Sequence, residues 1–502
     1  MLPHLGSSGL QARFDLRSRP WPQVLRPAKR RELRRGLVAK ALGPSPEVRA
    51  GLEVVQGSSV GRAGLWRRAL LLLLSASALG LRLNAAAWGA GVTACTRANQ
   101  WAHALGLLGE ISARGVRLDT LGTQTGVFAC MIAGRWEQGM HLLSGLAWQS
   151  MEPLARSCFS PLLMDCQQRG NLGGEIALMK LLGRMGSQGG DSGLSLAALA
   201  ASAAELRLLS AARQRPGAEV ALARSLLFRP QPGAQVLFAS GLAGRATLGK
   251  LVQVARNGKA PNLGSPYGKE LQVLRQILDT VPQGNPEALC QAMPAFSKEA
   301  SDRGAAKLKA SILCAAMLGA PAGGSVLEVG GYCGYSAIRM AWSCPTATIA
   351  SLEIDPVHVM VARILIAFAG LDSAISVWTG HSKDLIPRLA LKKDEPGFLS
   401  AVFFDTKGSR YHEELAALSD CGALKPGAVV VAENVLKPGA PVFLWQVVLG
   451  KAFATQALEV QESDWPPDDW MSVSAMLPPF STMRSLGPWD ASEPPLRTLA
   501  VC

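Results

Sequence analysis

The stretch S-V-L-E-V-G-G-Y-C-G-Y-S, Ser325 to Ser336, decides the fold. It reads as an apolar strand that runs into a glycine-rich turn and carries one acid, Glu328. The next apolar run, T-A-T-I-A-S-L-E, closes on Glu353, twenty-five residues after Glu328. In a doubly wound, mostly parallel sheet, such a turn and such an acid lie side by side at the carboxyl edge. Nucleosides bind there, with the acid on the ribose hydroxyls. Gly330 and Gly334 lack a Cβ, which lets the backbone approach a ligand closely.

Two later apolar runs narrow the chemistry. L-S-A-V-F-F-D stops at Asp405, and G-A-V-V-V-A-E-N stops at Glu433 and Asn434. Carboxylate and amide oxygens without a neighbouring Cys or His favour Mg2+ over zinc or copper. A nucleoside pocket beside a Mg2+ site points to group transfer onto an oxygen nucleophile.

Four motifs follow in order: E-V-G-G-Y-C-G-Y-S-A-I-R-M-A, G-H-S-K-D-L-I-P-R-L, V-F-F-D-T-K-G-S-R-Y and A-E-N-V-L-K-P-G-A-P. Together they resemble catechol O-methyltransferase over roughly residues 266 to 490. The resemblance implies an α/β, Rossmann-like class I methyltransferase domain that binds S-adenosylmethionine and Mg2+ and methylates a hydroxyl of a catechol-like or phenolic substrate. It assigns the cofactor to Glu328, to Gly330, Tyr332, Gly334 and Ser336 of the glycine turn, to Glu353 and Ile354, to Gly380, His381, Ser382 and Lys383, and to Asp405. Mg2+ falls to Asp405, Glu433 and Asn434, with Asn434 also counted in the catalytic set.

Some positions depart from that family. After the metal aspartate this chain has Thr406, Lys407 and Gly408, so the proton-accepting lysine has moved by one and Lys407 is the candidate base. Gly408 allows the backbone to swing that side chain back toward the site. Glu433 replaces an aspartate, and Asp469, with Asp468 as the alternative, stands for the acid that orients the catechol. Pro438 keeps the K-P-G-A-P wall beside the substrate.

Length and charge divide the chain. At 502 residues it exceeds the roughly 250 to 300 at which one core stops growing, so more than one domain is expected. Residues 1–265 hold 32 Lys and Arg against 13 Asp and Glu, a net of +19, while residues 266–502 hold 19 against 24, a net of −5. Any polyanion partner is therefore a matter for the amino half. Ten cysteines without a C-x-x-C pair indicate neither a zinc site nor a disulfide framework and fit a reducing compartment.

Residues 1–59 form a basic leader. Its Arg-rich, acid-poor start resembles an organelle transit peptide and equally suits a disordered basic tail. The expected location is intracellular: cytoplasmic, or mitochondrial or plastid if the leader is a transit peptide. The apolar run Ala69 to Leu81 is thirteen residues long, short of the about 20 that a membrane span needs.

Trp66, Trp101 and Trp136 recur every 35 residues in W-R-R-A-L-L-L-L, W-A-H-A-L-G-L-L and W-E-Q-G-M-H-L-L, and Cys95 and Cys130 each sit six residues before a tryptophan. A fixed period of this length predicts an all-α array of stacked helical hairpins, with the tryptophans and leucines as its core. A fourth copy through P-L-L-M-D-C and I-A-L-M-K-L-L carries a one-residue slip. The array, residues 60–188, resembles pentatricopeptide repeats, whose RNA-binding members read one base per repeat. The reading positions fall on Gly89 and Gln124, with Asp119 in the loop. Gly89 has no side chain to offer a base, so the expected affinity for RNA is nonspecific and salt-sensitive, and a protein partner is the other possibility. Residues 189–265 read as a linker with one helix, and the enzyme domain spans 266–502. The alternative function is an RNA-associated organellar repeat protein whose methyltransferase half is degenerate.

Overall fold

The computed structural model describes residues 65–78, 83, 85–116, 118, 120–144, 155–185, 194–214, 242–293, 300–392, 397–460 and 469–477. The leader, Asp119, Asp468 and the chain beyond residue 477 lie outside them.

The regular elements among the described residues of the amino half are all helical. Helices α1 (Leu65–Ala78), α2 (Ala85–Arg97), α3 (Trp101–Ala113), α4 (Thr120–Ile132) and α5 (Trp136–Ser144) lead through a wide helical turn, Ala155–Phe159, into α6 (Ser160–Gln168), α7 (Leu172–Met185), α8 (Leu196–Gln214) and α9 (Leu242–Asn257). The paired helices α2–α3, α4–α5 and α6–α7 are hairpins with the expected period. Left-handed turn residues close their first helices at Asn99, Gly134 and Gly170, spaced by 35 and then 36 residues, which is where the one-residue slip resides.

The expected tryptophan core is corrected by the structure. Trp88, off the 35-residue period, is fully buried with Leu73, Val92, Cys95, Leu107 and Ile111. Trp101 stays 37% exposed, and Trp66 and Trp136 are partly buried. Trp101 and Trp136 are each the first residue of a second helix and so stand at a hairpin corner, while the mid-helix positions face the stack. Among the described residues the stretch read as linker contributes two helices where one was expected, α8 and α9, and α9 packs against α8 and the helix that follows it.

The carboxyl half opens with α10 (Gly268–Thr280), α11 (Pro286–Ala292) and α12 (Ala300–Leu318). Strands and helices then alternate: β1 (Ser325–Val329), α13 (Tyr335–Ser343), β2 (Thr348–Glu353), α14 (Pro356–Phe368), β3 (Ile375–Thr379), α15 (Ser382–Lys392), β4 (Leu399–Phe404), α16 (Tyr411–Asp420), β5 (Leu424–Ala432), α17 (Pro441–Leu449), β6 (Phe453–Val460) and β7 (Asp469–Met476). The sheet order is β3-β2-β1-β4-β5-β7-β6, parallel through β5 and antiparallel at β7 and β6. This is the doubly wound, mostly parallel sheet expected, of the class I methyltransferase type, preceded by a helical domain. Its switch point, where nucleosides bind, lies between β1 and β4.

Both faces of the sheet are covered, so its central strands are apolar without alternation; every residue of β4 is buried. One of its two cores begins in the helical array, at Val127, Leu143 and Leu162, and continues without a break through Leu199 and Leu271 to Ile364 and Phe403. Among the described residues no helix is long and apolar enough to cross a membrane.

Candidate methyl-donor site

The hydrogen-bond ladder runs one residue past the strand ends and so assembles the site. Gly330 N donates to Leu352 O at 2.9 Å, Asp405 N to Val329 O at 2.9 Å, and Glu433 N to Phe404 O at 2.9 Å. The tips of β2, β1, β4 and β5 are thereby held in line, with Glu353, Gly330, Asp405 and Glu433 along one edge. This approach requires a glycine at 330: its φ is 101°, and a Cβ there would lie 2.0 Å from the carbonyl oxygen of Asp405.

Glu328 is fully buried beneath the turn and accepts from the hydroxyls of Ser336 and Ser351. Burial pushes its carboxyl up to about 7, against the pull of those two hydroxyls. The fold therefore favours its protonated form. The penalty for ionising it is absent below its ordinary value of 4.5 and grows until the pH passes about 7. Stability should decline over that window as pH rises, and the Glu328→Gln variant should show a flatter curve of melting temperature against pH between about 5 and 8.

Glu353 accepts from Tyr332 N at 2.8 Å and Asp355 N at 2.7 Å, with His358 Nδ1 at 3.7 Å. Burial alone would raise its carboxyl, but His358 and the two backbone donors outweigh burial and hold it below the usual range. His358 is raised in turn, because Glu353, Asp355 and Glu270 outweigh its burial. Glu353 is thus an anion aimed from a rigid strand tip. Tyr332 and Ile354, both substantially exposed, flank it.

Gly380 N donates to Glu353 O at 2.9 Å, which fixes the G-H-S-K turn beside the β2 tip. Ser382 is buried and its hydroxyl is given to Glu414, so of the turn's side chains it is His381 and Lys383 that face outward. Burial, with Lys383 and Arg410 nearby, lowers the His381 imidazole.

At the other end of the edge stand the oxygen side chains. Burial pushes the Asp405 carboxyl well above its ordinary value, and the charges of Glu433 and Glu328 add to the effect while Lys309 opposes it. Glu433 pairs with Lys309 Nζ at 2.6 Å. Asn434, at φ 56°, donates to Asp469 Oδ2 at 2.5 Å. Asp469 Oδ1 accepts from Lys437 N at 3.0 Å and Trp470 N at 2.8 Å, and the residue is fully buried. The structure thus commits Asp469 to holding the Asn434–Gly439 loop, which is a different task from the substrate orientation expected of it. Lys407 is exposed on the loop after Asp405, between Thr406, pinned by the Tyr411 hydroxyl at 2.7 Å, and Gly408 at φ 71°.

In Asp405, Glu433 and Asn434, two carboxylates, one of them driven toward its neutral form by burial and further by the charge of the other, beside an amide make a hard-oxygen set that a divalent cation would relieve. Among the described residues no group of three His, Cys, Asp or Glu side chains is placed to hold a metal ion. Lys309, whose side chain is 10% exposed, already sets one positive charge on Glu433. In A-A-K-L-K-A-S it reads as an ordinary helix lysine, so sequence reasoning missed it.

A family model described as O-methyltransferase matches residues 313–445. The catechol O-methyltransferase of Bos taurus is 34% identical over 184 residues, which are 36% of this chain and 67% of that protein. The chain belongs to the O-methyltransferase family. The enzyme of that name from Mus musculus is 36% identical over 180 residues, 35% of this chain and 66% of its own. The one from Sus scrofa is 42% identical over 123 residues, 24% of this chain and 66% of its own. The chain thus spans about two thirds of the length of these O-methyltransferases, and its carboxyl half is an S-adenosylmethionine-dependent methyltransferase.

Proposed function

We propose that this O-methyltransferase transfers the methyl group of S-adenosylmethionine to one hydroxyl of a catechol-like phenol with Mg2+ as metal cofactor. The observation that carries the reading is the extended ladder, which sets the nucleoside-binding pair Gly330 and Glu353 and the oxygen cluster Asp405, Glu433 and Asn434 on one sheet edge.

Glu353 accepts from the ribose hydroxyls, the glycine turn lets the donor approach, and the exposed faces of Tyr332 and Ile354 suit the adenine. Held by Asp405, Glu433 and Asn434, Mg2+ would supply a Lewis acid that acidifies a bound hydroxyl. The acceptor oxygen forms its bond to the methyl carbon as the carbon–sulfur bond breaks, and the sulfur keeps that electron pair. Lys407, on the loop after Asp405, takes the hydroxyl proton. Most of the barrier reduction comes from holding oxygen, carbon and sulfur in line.

The test is titration of the full chain with S-adenosylmethionine, with and without Mg2+, followed by methylation of 3,4-dihydroxybenzoate. Turnover that requires Mg2+ supports the reading; donor binding without turnover under either condition defeats it in favour of the degenerate enzyme. The RNA-reading alternative has less to rest on, because the amide of Gln124 is donated to Ser157 Oγ at 2.8 Å.

Lys309 gives a second measurable consequence. Its ammonium competes for Glu433, so Lys309→Met should bind Mg2+ about tenfold more tightly, about 1.4 kcal/mol. Calorimetric titration with Mg2+ alone checks this, and weaker binding by the variant would contradict it.

A further inference from the structure

The ribose-binding and G-H-S-K segments are held from outside the enzyme half. Asp355, two residues beyond Glu353, is fully buried; its backbone N–H goes to Glu353 and its Oδ1 caps α14 by accepting from Val357 N at 2.9 Å. Its other oxygen accepts from Arg156 Nε at 2.8 Å and from the Tyr267 hydroxyl at 3.0 Å. Arg156 lies in the wide turn of the helical array, 199 residues away in sequence.

The second contact is at β3, the edge strand of the sheet. Thr379 pairs with Glu353 in the β2–β3 register and immediately precedes Gly380. Buried Gln167, at the end of α6, grips it twice: Thr379 N donates to Gln167 Oε1 at 3.0 Å, and Gln167 Nε2 donates to Thr379 Oγ1 at 3.0 Å. A backbone N–H at an edge strand needs such a partner once it is covered. The third contact is steric. Met164 of the same helix presses on Gly380, where an added Cβ would lie 2.8 Å from its Sδ.

Three side chains of the helical array therefore converge on the two strand tips that carry Glu353 and the Gly380–Lys383 turn. Nothing in the usual logic of a doubly wound sheet supplies these contacts, since the crossover helices come from within the alternating unit. We infer that the helical array is a working part of the methyl-donor site, with Arg156 and Gln167 as positioning residues that hold the ribose-binding tip and the G-H-S-K turn in their binding geometry. The array is then an intramolecular brace, and the donor and the docked helices stabilise each other reciprocally, as linkage requires. The inference rests on the methyltransferase reading of the cleft.

The test uses the full chain. Arg156→Ala and Gln167→Ala should each bind S-adenosylmethionine about tenfold more weakly by calorimetry. The KM for the donor should rise in proportion, while kcat at saturating donor and the KM for 3,4-dihydroxybenzoate stay within about twofold. Arg156→Lys, which keeps the charge beside Asp355, should recover most of the affinity. Arg114→Ala, which breaks an exposed ion pair with Glu110 elsewhere in the array, is the matched control and should bind as the unaltered chain does. Equal donor affinity in Arg156→Ala, Gln167→Ala and the unaltered chain would overturn the brace alone, as would an equal loss in the control. No donor binding by the unaltered chain would overturn the brace and the cleft reading together. A readout free of mutation guards against variants that do not fold. In the unaltered chain, S-adenosylmethionine should slow hydrogen exchange of the amides of residues 155–168, and no change there would overturn the proposal.

Discussion

Replacing Gly330 with alanine is expected to unfold the donor edge and abolish S-adenosylmethionine binding. The added Cβ would stand 2.0 Å from the Asp405 carbonyl oxygen and 2.8 Å from its carbon, both backbone atoms that no rotamer change can move aside. Retreat is blocked on both sides, because Gly330 N is bonded to Leu352 O and Asp405 N to Val329 O. A φ of 101° adds a conformational cost for any residue with a Cβ. Together these place the change in the rare class that costs more than about 4 kcal/mol. Chemical denaturation of the two chains measures it. A loss under about 1 kcal/mol would mean that the β1 and β4 tips separate more easily than their ladder suggests.

Removing the Glu175 carboxylate should cost about as much, for an electrostatic reason. Glu175 is buried, and it accepts from Arg363 at 2.8 Å, from Arg207 at 3.1 Å and from Gln167 at 3.0 Å. Burial opposes its charge, but Arg363, Arg207 and the Gln167 amide prevail and hold its carboxyl below the ordinary range. Arg363 belongs to α14 and also donates to Val377 O of β3 at 2.8 Å, so Glu175 ties the array to the sheet. Glu175→Ala leaves a buried guanidinium without its counter-charge, which typically costs about 3 to 5 kcal/mol. The paired variant Glu175→Leu with Arg363→Met should recover a large part of that loss, because it removes both charges and not one. Failure of the pair to recover would assign the cost to the lost Val377 and Gln167 bonds. Acid gives the same sign: a depressed carboxylate contributes fully above its ordinary value of 4.5, and that contribution is lost as the pH falls below it through the depressed folded value. Glu328 behaves oppositely, with its penalty relieved on acidification.

The strand tips were legible because each is an apolar run that stops at an acid, and a parallel sheet puts such stops at one edge. Glu353, Asp405 and Glu433 needed only that rule, while Glu328 lies inside β1 and was marked by the glycine turn that follows it. The helical period was legible from its spacing, but the occupant of the core was not. A tryptophan that starts a helix and one in mid-helix look alike in a repeat, and only the latter, Trp88, is enclosed. Contacts between the halves were invisible for a different reason. Arg156 and Asp355 lie in segments that each make sense alone, and no local pattern marks a pair separated by 199 residues. Lys309 escaped because it stands beside Lys307 in an Ala-rich stretch, a composition that signals a solvated face. The Asp469 carboxylate is taken up by the backbone of the neighbouring loop, which no local pattern announces.

The unbroken core that runs from Leu143 to Phe403 also bears on inheritance. A gene fragment encoding the sheet alone would leave Ile364 and its neighbours facing water, and one encoding the hairpins alone would strip Leu143 and Leu162 of their cover. Separating the two parts would therefore expose apolar surface on both.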